Sequence, residues 1–255
     1  MKYSILFLTV TSCLLVCCSN PVITNVEDFT NPLAEIGSIH NRAMNSLKQN
    51  QISIDDLETY SNDFVEKECC KCFNIPIETS THLYTSNMMK LAKENGMLRE
   101  NPITRTSNNI PDSIKNEVPS THIPFIDKML VLVNDNLTDS IFIKRKFLEI
   151  DMEINQSSLD NEDKNCLWAI SAITQSSYIY NLTDIQTRAL DAESVILADV
   201  EGALAGFISW KFWGKTIGSG LVFGPTGAVV CATKEIVKGA VVGSGVHVAL
   251  TVWNE

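Results

Sequence analysis

Three sets of residues have the types and spacing for chemistry. The densest is Glu68-Cys69-Cys70-Lys71-Cys72. Adjacent thiolates suit a soft metal, yet no second Cys or His pair stands at zinc spacing, so no metal site is expected. In an oxidising compartment the same thiols form disulfides. Five cysteines lie beyond the N-terminal segment, at 69, 70, 72, 166 and 231. The expected bridge joins Cys70 or Cys72 to Cys166, a pairing that spacing alone does not choose. The second set is His40, His82, His122 and His247 with the carboxylates Asp184, Asp191 and Asp199. The histidines are scattered. The aspartates are spaced seven and eight apart, which suits a solvated helical face as well as an acid cluster. An enzyme built on His40 and a nearby carboxylate would need a concave pocket and a histidine open to it. No phosphate-binding loop, nucleophile elbow, metalloprotease or dinucleotide motif is present. The expectation is therefore no catalytic residue and no cofactor.

The third set is at the start of the chain. Lys2 and an apolar run to Val16 have the layout of an export signal. Leu15-Val16-Cys17-Cys18 follows and is similar to a bacterial lipobox, with Cys17 where a smaller residue is usual. Cys18 is then the lipidated first residue of the mature chain, and export to the cell envelope or outer surface is expected. A single acyl group gives only marginal membrane binding.

These groups need elements to position them. The last fifty residues are the most unusual. Ten of twelve glycines fall in 202–250, in pairs four apart: Gly202/Gly206, Gly214/Gly218, Gly220/Gly224 and Gly239/Gly243. On a helix each pair shares a face and lets another backbone approach. In water each glycine costs a helix up to about 1 kcal/mol relative to alanine, so a close-packed partner or a bilayer is required. Two charge-free pieces, 216–233 and 239–253, flank Lys234, Glu235 and Lys238. Both are short for a membrane span. A glycine-zipper helical hairpin that inserts conditionally is the leading expectation. A buried helical pair and a β-hairpin of the Val-rich part are the others.

The body before it is helical by period. Leu33, Ile36, His40, Ala43, Met44 and Leu47 make one stripe after Asn31-Pro32, a cap and first-turn pair. His40 on that stripe reads as a core histidine. Ser53 and Asp56 resemble a capping box before Leu57. Further helices are expected over 81–95, 125–134, 139–155, 159–180 and 184–200, with Asn181–Asp184 as a turn. The fold class is all-α, an irregular bundle with a glycine-rich C-terminal hairpin. The expected divisions are a signal peptide at 1–17, a tether at 18–30, N-terminal helices at 31–100, a Pro/Ser/Asn-rich linker at 101–124, central helices at 125–201 and the tail at 202–255.

The net charge is −10. The tail holds four lysines against two glutamates, +2, which leaves −12 for the rest. That distribution excludes nucleic acid, which requires a basic patch. It suits contact of the tail with an anionic lipid surface, and another envelope protein or self-association through the tail is the further partner class.

Asn31-Pro32 with Ile36-Gly37-x-x-His40-Asn41, then Ser176-Ser177-Tyr178, then Asp199-x-x-Gly202-Ala203 and Gly224-Pro225-x-Gly227-Ala228 together resemble a little-characterised family of exported bacterial proteins and lipoproteins. The resemblance covers the two ends and one middle helix and implies no particular activity. The tail is separately similar in composition to membrane-active bacteriocin peptides. The leading functional expectation is an envelope lipoprotein whose tail packs on or enters a membrane, with a bacteriocin-like role. The alternative is a soluble secreted binding module with the zipper buried and no catalysis.

Overall fold

Apolar residues three and four apart, interrupted by Asn, Ser and Asp, leave helices as the way to bury one face of each segment. In the computed structural model, residues 29–74, 112–135, 138–183, 192–211 and 219–252 are described. They form α1 (Ala34–Asn50), α2 (Leu57–Cys72), the single turn α3 (Asp112–Lys115), α4 (Ile123–Asn134), α5 (Ser140–Gln156), α6 (Asn161–Thr183), α7 (Ala192–Ser209) and α8 (Ser219–Val252). No strand occurs among the described residues, so the fold is all-α and the β-hairpin alternative for the tail is excluded where the tail is described. Residues from Asn31 onward make one unit.

Local signals set the helix ends. The α1 stripe is buried at Ile36, Ile39, His40, Ala43, Met44 and Leu47. Asn31 is not its N-cap. The Asn31 Oδ1 accepts from the Leu33 amide at 2.8 Å, and the helix starts at Ala34. The side-chain amide of Asn31 instead ties the N-terminal end of α1 to α5 and α6, donating to Asp151 Oδ2 at 3.1 Å and to the Trp168 carbonyl at 3.0 Å. Ahead of α2, the Ser53 hydroxyl donates to Asp56 at 2.6 Å and accepts from the Asp56 amide at 3.2 Å. Asp139 caps α5 by accepting from the amides of Ile141 and Phe142, a bond worth about 1 kcal/mol. The basic triplet Lys144-Arg145-Lys146 of α5 lies on its outer face, with Arg145 stacked over Phe142 at 5.0 Å.

Two expected boundaries shift. Asn181 does not start a turn; α6 continues to Thr183, because the buried Asn181 amide donates to the Ser177 carbonyl one turn back. The stretch 101–124 is packed in its second half: α3 lies there, and Ile114, Val118 and His122 are buried. The helix expected at 81–95 and the tether at 18–30, apart from 29 and 30, lie outside the described residues.

The glycine-rich region is where the structure departs most from its expected form. The charged gap Lys234-Glu235-x-x-Lys238 does not divide two short pieces. It lies in the middle of α8, one helix of 34 residues. The other leg of the hairpin is α7, which begins ten residues before Gly202. Every residue from 194 to 210 and from 230 to 246 is buried. α8 packs mainly on α7, and α1, α2 and α6 cover the pair. The hairpin is thus the centre of the bundle.

Glycine makes the central contact possible. A Cβ on Gly202 would strike the Gly239 carbonyl and come within 3.0 Å of Ala240 Cα. A Cβ on Gly206 would strike the Glu235 carbonyl, one on Gly239 the Gly202 carbonyl, and one on Gly243 the Ala198 carbonyl. These are backbone-on-backbone approaches with no side chain to yield. The dispersion energy of such a seam offsets the roughly 1 kcal/mol per glycine that an isolated helix would lose.

Candidate functional site

The candidate site is a buried polar junction where α1, α6, α7 and α8 meet. Asp199 on α7 is its hub. It is 1% exposed in a helix otherwise rich in Ala, Leu and Val. His40 Nε2 from α1 lies 2.9 Å from Asp199 Oδ1, placed as an ion pair and off the line of an ideal hydrogen bond. The Ser177 hydroxyl of α6 donates to Asp199 Oδ2, and the Ser244 hydroxyl of α8 donates to Asp199 Oδ1. A buried carboxylate left alone would be strongly penalised. Here three elements each supply one partner.

A further set of bonds fixes the histidine. His40 Nδ1 faces Asn41 Oδ1 at 3.2 Å. The Asn41 amide donates to Ser176 Oγ at 2.8 Å and to the Ser176 carbonyl at 3.1 Å. Gly37, one turn earlier, lets α1 approach α6: a Cβ there would fall 2.5 Å from Ser176 Cβ. Burial by itself would lower the His40 pKa, but the Asp199 charge and the hydrogen bonds hold it above the ordinary 6.5. The junction therefore sets His40 against the Asp199 carboxyl in an apolar setting that favours the protonated imidazole.

Its chemistry differs from that of a nucleophile triad. There the hydroxyl donates to the histidine and the carboxylate orients the opposite ring nitrogen. Here both hydroxyls donate to the carboxylate, and both histidine nitrogens already face a polar partner. His40 is 1% exposed. The recess beside it, lined by Lys48, Tyr180, Asn181 and Val248 among others, has about 10 Å³ of free space, close to the least a single water needs. The expectation that an enzyme would open His40 to a pocket is not met.

The tail carries a second polar cluster inside α8. Lys234 Nζ is 2.7 Å from Glu66 Oε2 of α2, and Lys238 Nζ donates to Glu235 at 3.2 Å. All four side chains are buried. Burial pushes the Glu235 pKa up, and Lys238 and Lys234 pull it partly back. Away from the hairpin, Asp151 is buried under Trp168, whose indole donates to the Asp151 carbonyl at 3.1 Å. Burial raises the Asp151 carboxyl to about 7, with Ser171 and Asn31 moderating the shift. His122 lies 3.3 Å from Asp163, which also holds Lys211 at 3.3 Å. Burial lowers the His122 pKa.

The cysteines are placed otherwise than expected. Cys69, Cys70, Cys166 and Cys231 are buried thiols and Cys72 is an exposed one. No bridge joins Cys70 or Cys72 to Cys166. The reason is distance in the fold. Cys166 sits among Glu162, Asp163 and Lys211, whereas Cys70 faces Lys234 and Glu66, and Cys72 faces Glu35 and Arg42. Among the described residues no group of His, Cys, Asp or Glu is arranged to hold a metal. Nor is any described helix long and apolar enough to cross a membrane.

Of the zipper glycines, Gly202, Gly206, Gly239 and Gly243 meet in the α7–α8 seam. Gly220 and Gly224 lie in the first turns of α8. Gly214, Gly218, the lipidation candidate Cys18, Asp184, Asp191 and His82 are outside the described residues. Parts of three sequence motifs meet here: Gly37 and Asn41 contact Ser176, His40 and Ser177 contact Asp199, and Gly202 follows Asp199 by three residues.

No family model, curated protein or solved structure matches the chain.

Ser244 and Glu66 carry no spacing signal, while Ser177 stands in the Ser176-Ser177-Tyr178 motif. Lys234 and Lys238 did: two lysines one turn apart in an otherwise apolar stretch must either face water or find carboxylates.

Proposed function

We propose that this chain is an exported, non-catalytic binding module, with the glycine-rich hairpin as its internal spine. The observation that carries this is the burial of Lys234 and Lys238 against Glu66 and Glu235. A helix meant for lipid keeps such charges out of its middle, at roughly 3 kcal/mol each on insertion scales. α8 keeps two lysines there and finds one of their carboxylate partners on α2. Moving α8 into a bilayer would break the α2 pair and expose Asp199 and Glu201 of α7 as well.

Self-association through the zipper is disfavoured for a related reason: the glycine faces of α7 and α8 fill one another. What remains for recognition is the outer surface of the bundle. The acidic charge of the chain before the tail disfavours nucleic acid and anionic lipid. A protein partner in the cell envelope is the class that fits. Export and lipidation at Cys18 remain the proposed route to it, with the lipid rather than the tail touching the membrane.

The test is flotation of the chain from residue 19 onward, unacylated, with anionic vesicles at low salt. It should remain in the dense fraction, and residues 192–252 should resist protease without detergent. Flotation of that chain would restore the membrane-inserting hairpin as the better reading.

A further inference from the structure

We propose that Cys70 and Cys231 form a disulfide that fastens α2 to α8. α2 and α8 run antiparallel, and their facing residues step in opposite directions. Leu57 lies against Gly245, where an added Cβ would fall 2.6 Å from Leu57 Cδ1. The Ser61 hydroxyl donates to the Lys238 carbonyl at 3.3 Å. Glu66 meets Lys234 at 2.7 Å. One more turn along each helix brings Cys70 opposite Cys231. Both are buried, and each is one turn from a member of the Glu66–Lys234 pair. Cys231 lies within electrostatic reach of the Cys70 thiol. Cys69 interacts with Lys234, Cys70 and Cys72 instead, and Cys166 lies elsewhere.

The oxidant is a small-molecule or protein disulfide, which an exported chain meets in its compartment. Cys70 is the entering thiol. Burial raises its pKa, but Lys234 opposes that rise and favours the thiolate, and Cys70 lies in the last turn of α2. Its sulfur attacks the oxidant's S–S bond, forms a mixed disulfide and releases one thiol. The Cys231 sulfur then attacks Cys70, loses its proton and releases the second thiol. Two protein thiols become one S–S bond, and the oxidant is reduced to two thiols. The bridge closes the chain from 70 to 231 and holds α2 over the zipper. The proposal rests on the export step of the reading above but not on its binding role, and the purified chain tests the chemistry apart from both.

The test uses the reduced full chain, refolded in a glutathione redox buffer, with remaining thiols alkylated under denaturing conditions and the digest mapped by mass spectrometry. The expected product joins tryptic peptides 68–71 and 216–234, and fragmentation places the link on Cys70 rather than Cys69. Its midpoint of thermal unfolding should exceed that of the reduced chain by roughly 5–15 °C, and dithiothreitol should abolish the difference. Cys231→Ser should remove the cross-link and Cys166→Ser should leave it. A Cys231 found fully alkylated after oxidation, or a bridge from Cys70 to any other cysteine, would overturn the proposal. Because the mapping is done on the native sequence, a variant that fails to fold does not prevent a decision.

Discussion

α8 presents two different faces to its neighbours. Toward α7 it offers glycine, and the contact is backbone on backbone between Gly202, Gly206, Gly239 and Gly243. Toward α2 it offers lysine, and the contact is a buried charge pair, Lys234 with Glu66. The first seam is specific because nothing larger than hydrogen fits. The second is specific because a charge without its partner is intolerable in that setting. One helix can therefore be placed by two opposite devices, and each fails in its own way when changed.

The largest effect is expected on the charged face. Lys234→Ala leaves Glu66 buried and alone, and should cost about 3–5 kcal/mol in urea unfolding. The double variant Lys234→Met, Glu66→Leu should recover most of that loss. If the double variant is as unstable as the single, the seam is held by something other than the pair.

Next comes the glycine face. Gly239→Ala drives a methyl into the Gly202 carbonyl and should cost about 2–3 kcal/mol. Gly245→Ala is the internal control. Its Cβ would meet the ends of Leu57 and Leu47, side chains that can shift, so its cost should be roughly 1 kcal/mol or less by the same melt. Equal costs at 239 and 245 would break the distinction between backbone and side-chain crowding.

The pH dependence separates the His40–Asp199 junction from the buried Asp151 carboxyl. Asp151 has a folded pKa of about 7, above its unfolded value of about 3.9. The folded state then holds the extra proton between the two, so stability should fall as pH rises from about 4 to 7, by roughly 2–4 kcal/mol. Asp151→Asn should flatten that limb of the stability curve. His40 has a raised folded pKa, so its contribution is complete below about 6.5 and is lost as pH rises through the folded value. Urea melts between pH 6 and 9 in the Asp151→Asn background should show a smaller decline, absent when His40→Gln is added. A decline that persists in that variant would separate the His40–Asp199 pair from the pH response.

The smallest effect is expected at the exposed pair Arg42–Glu35 on α1, about half exposed on both sides. Glu35→Ala, which leaves the Arg42–Glu68 pair in place, should change stability by less than about 1 kcal/mol. It marks the difference between charges at the surface and charges in the α2–α8 seam.

By itself the sequence determined that the chain is helical, where several helices begin, that His40 lies on an apolar face, and that glycines four apart require a close neighbour. Periodicity and cap chemistry are local, acting within four residues, and so they can be read along the chain. The identity of the neighbour is not local. Only tertiary structure decided that Gly202 faces Gly239 within one buried hairpin, that Asp199 gathers partners from three other helices, and that Lys234 finds Glu66 some 170 residues away in sequence. The charged gap looks like a break in sequence for the same reason. A lysine interrupts an apolar run in sequence, but it does not interrupt a helix when the fold brings a carboxylate to meet it.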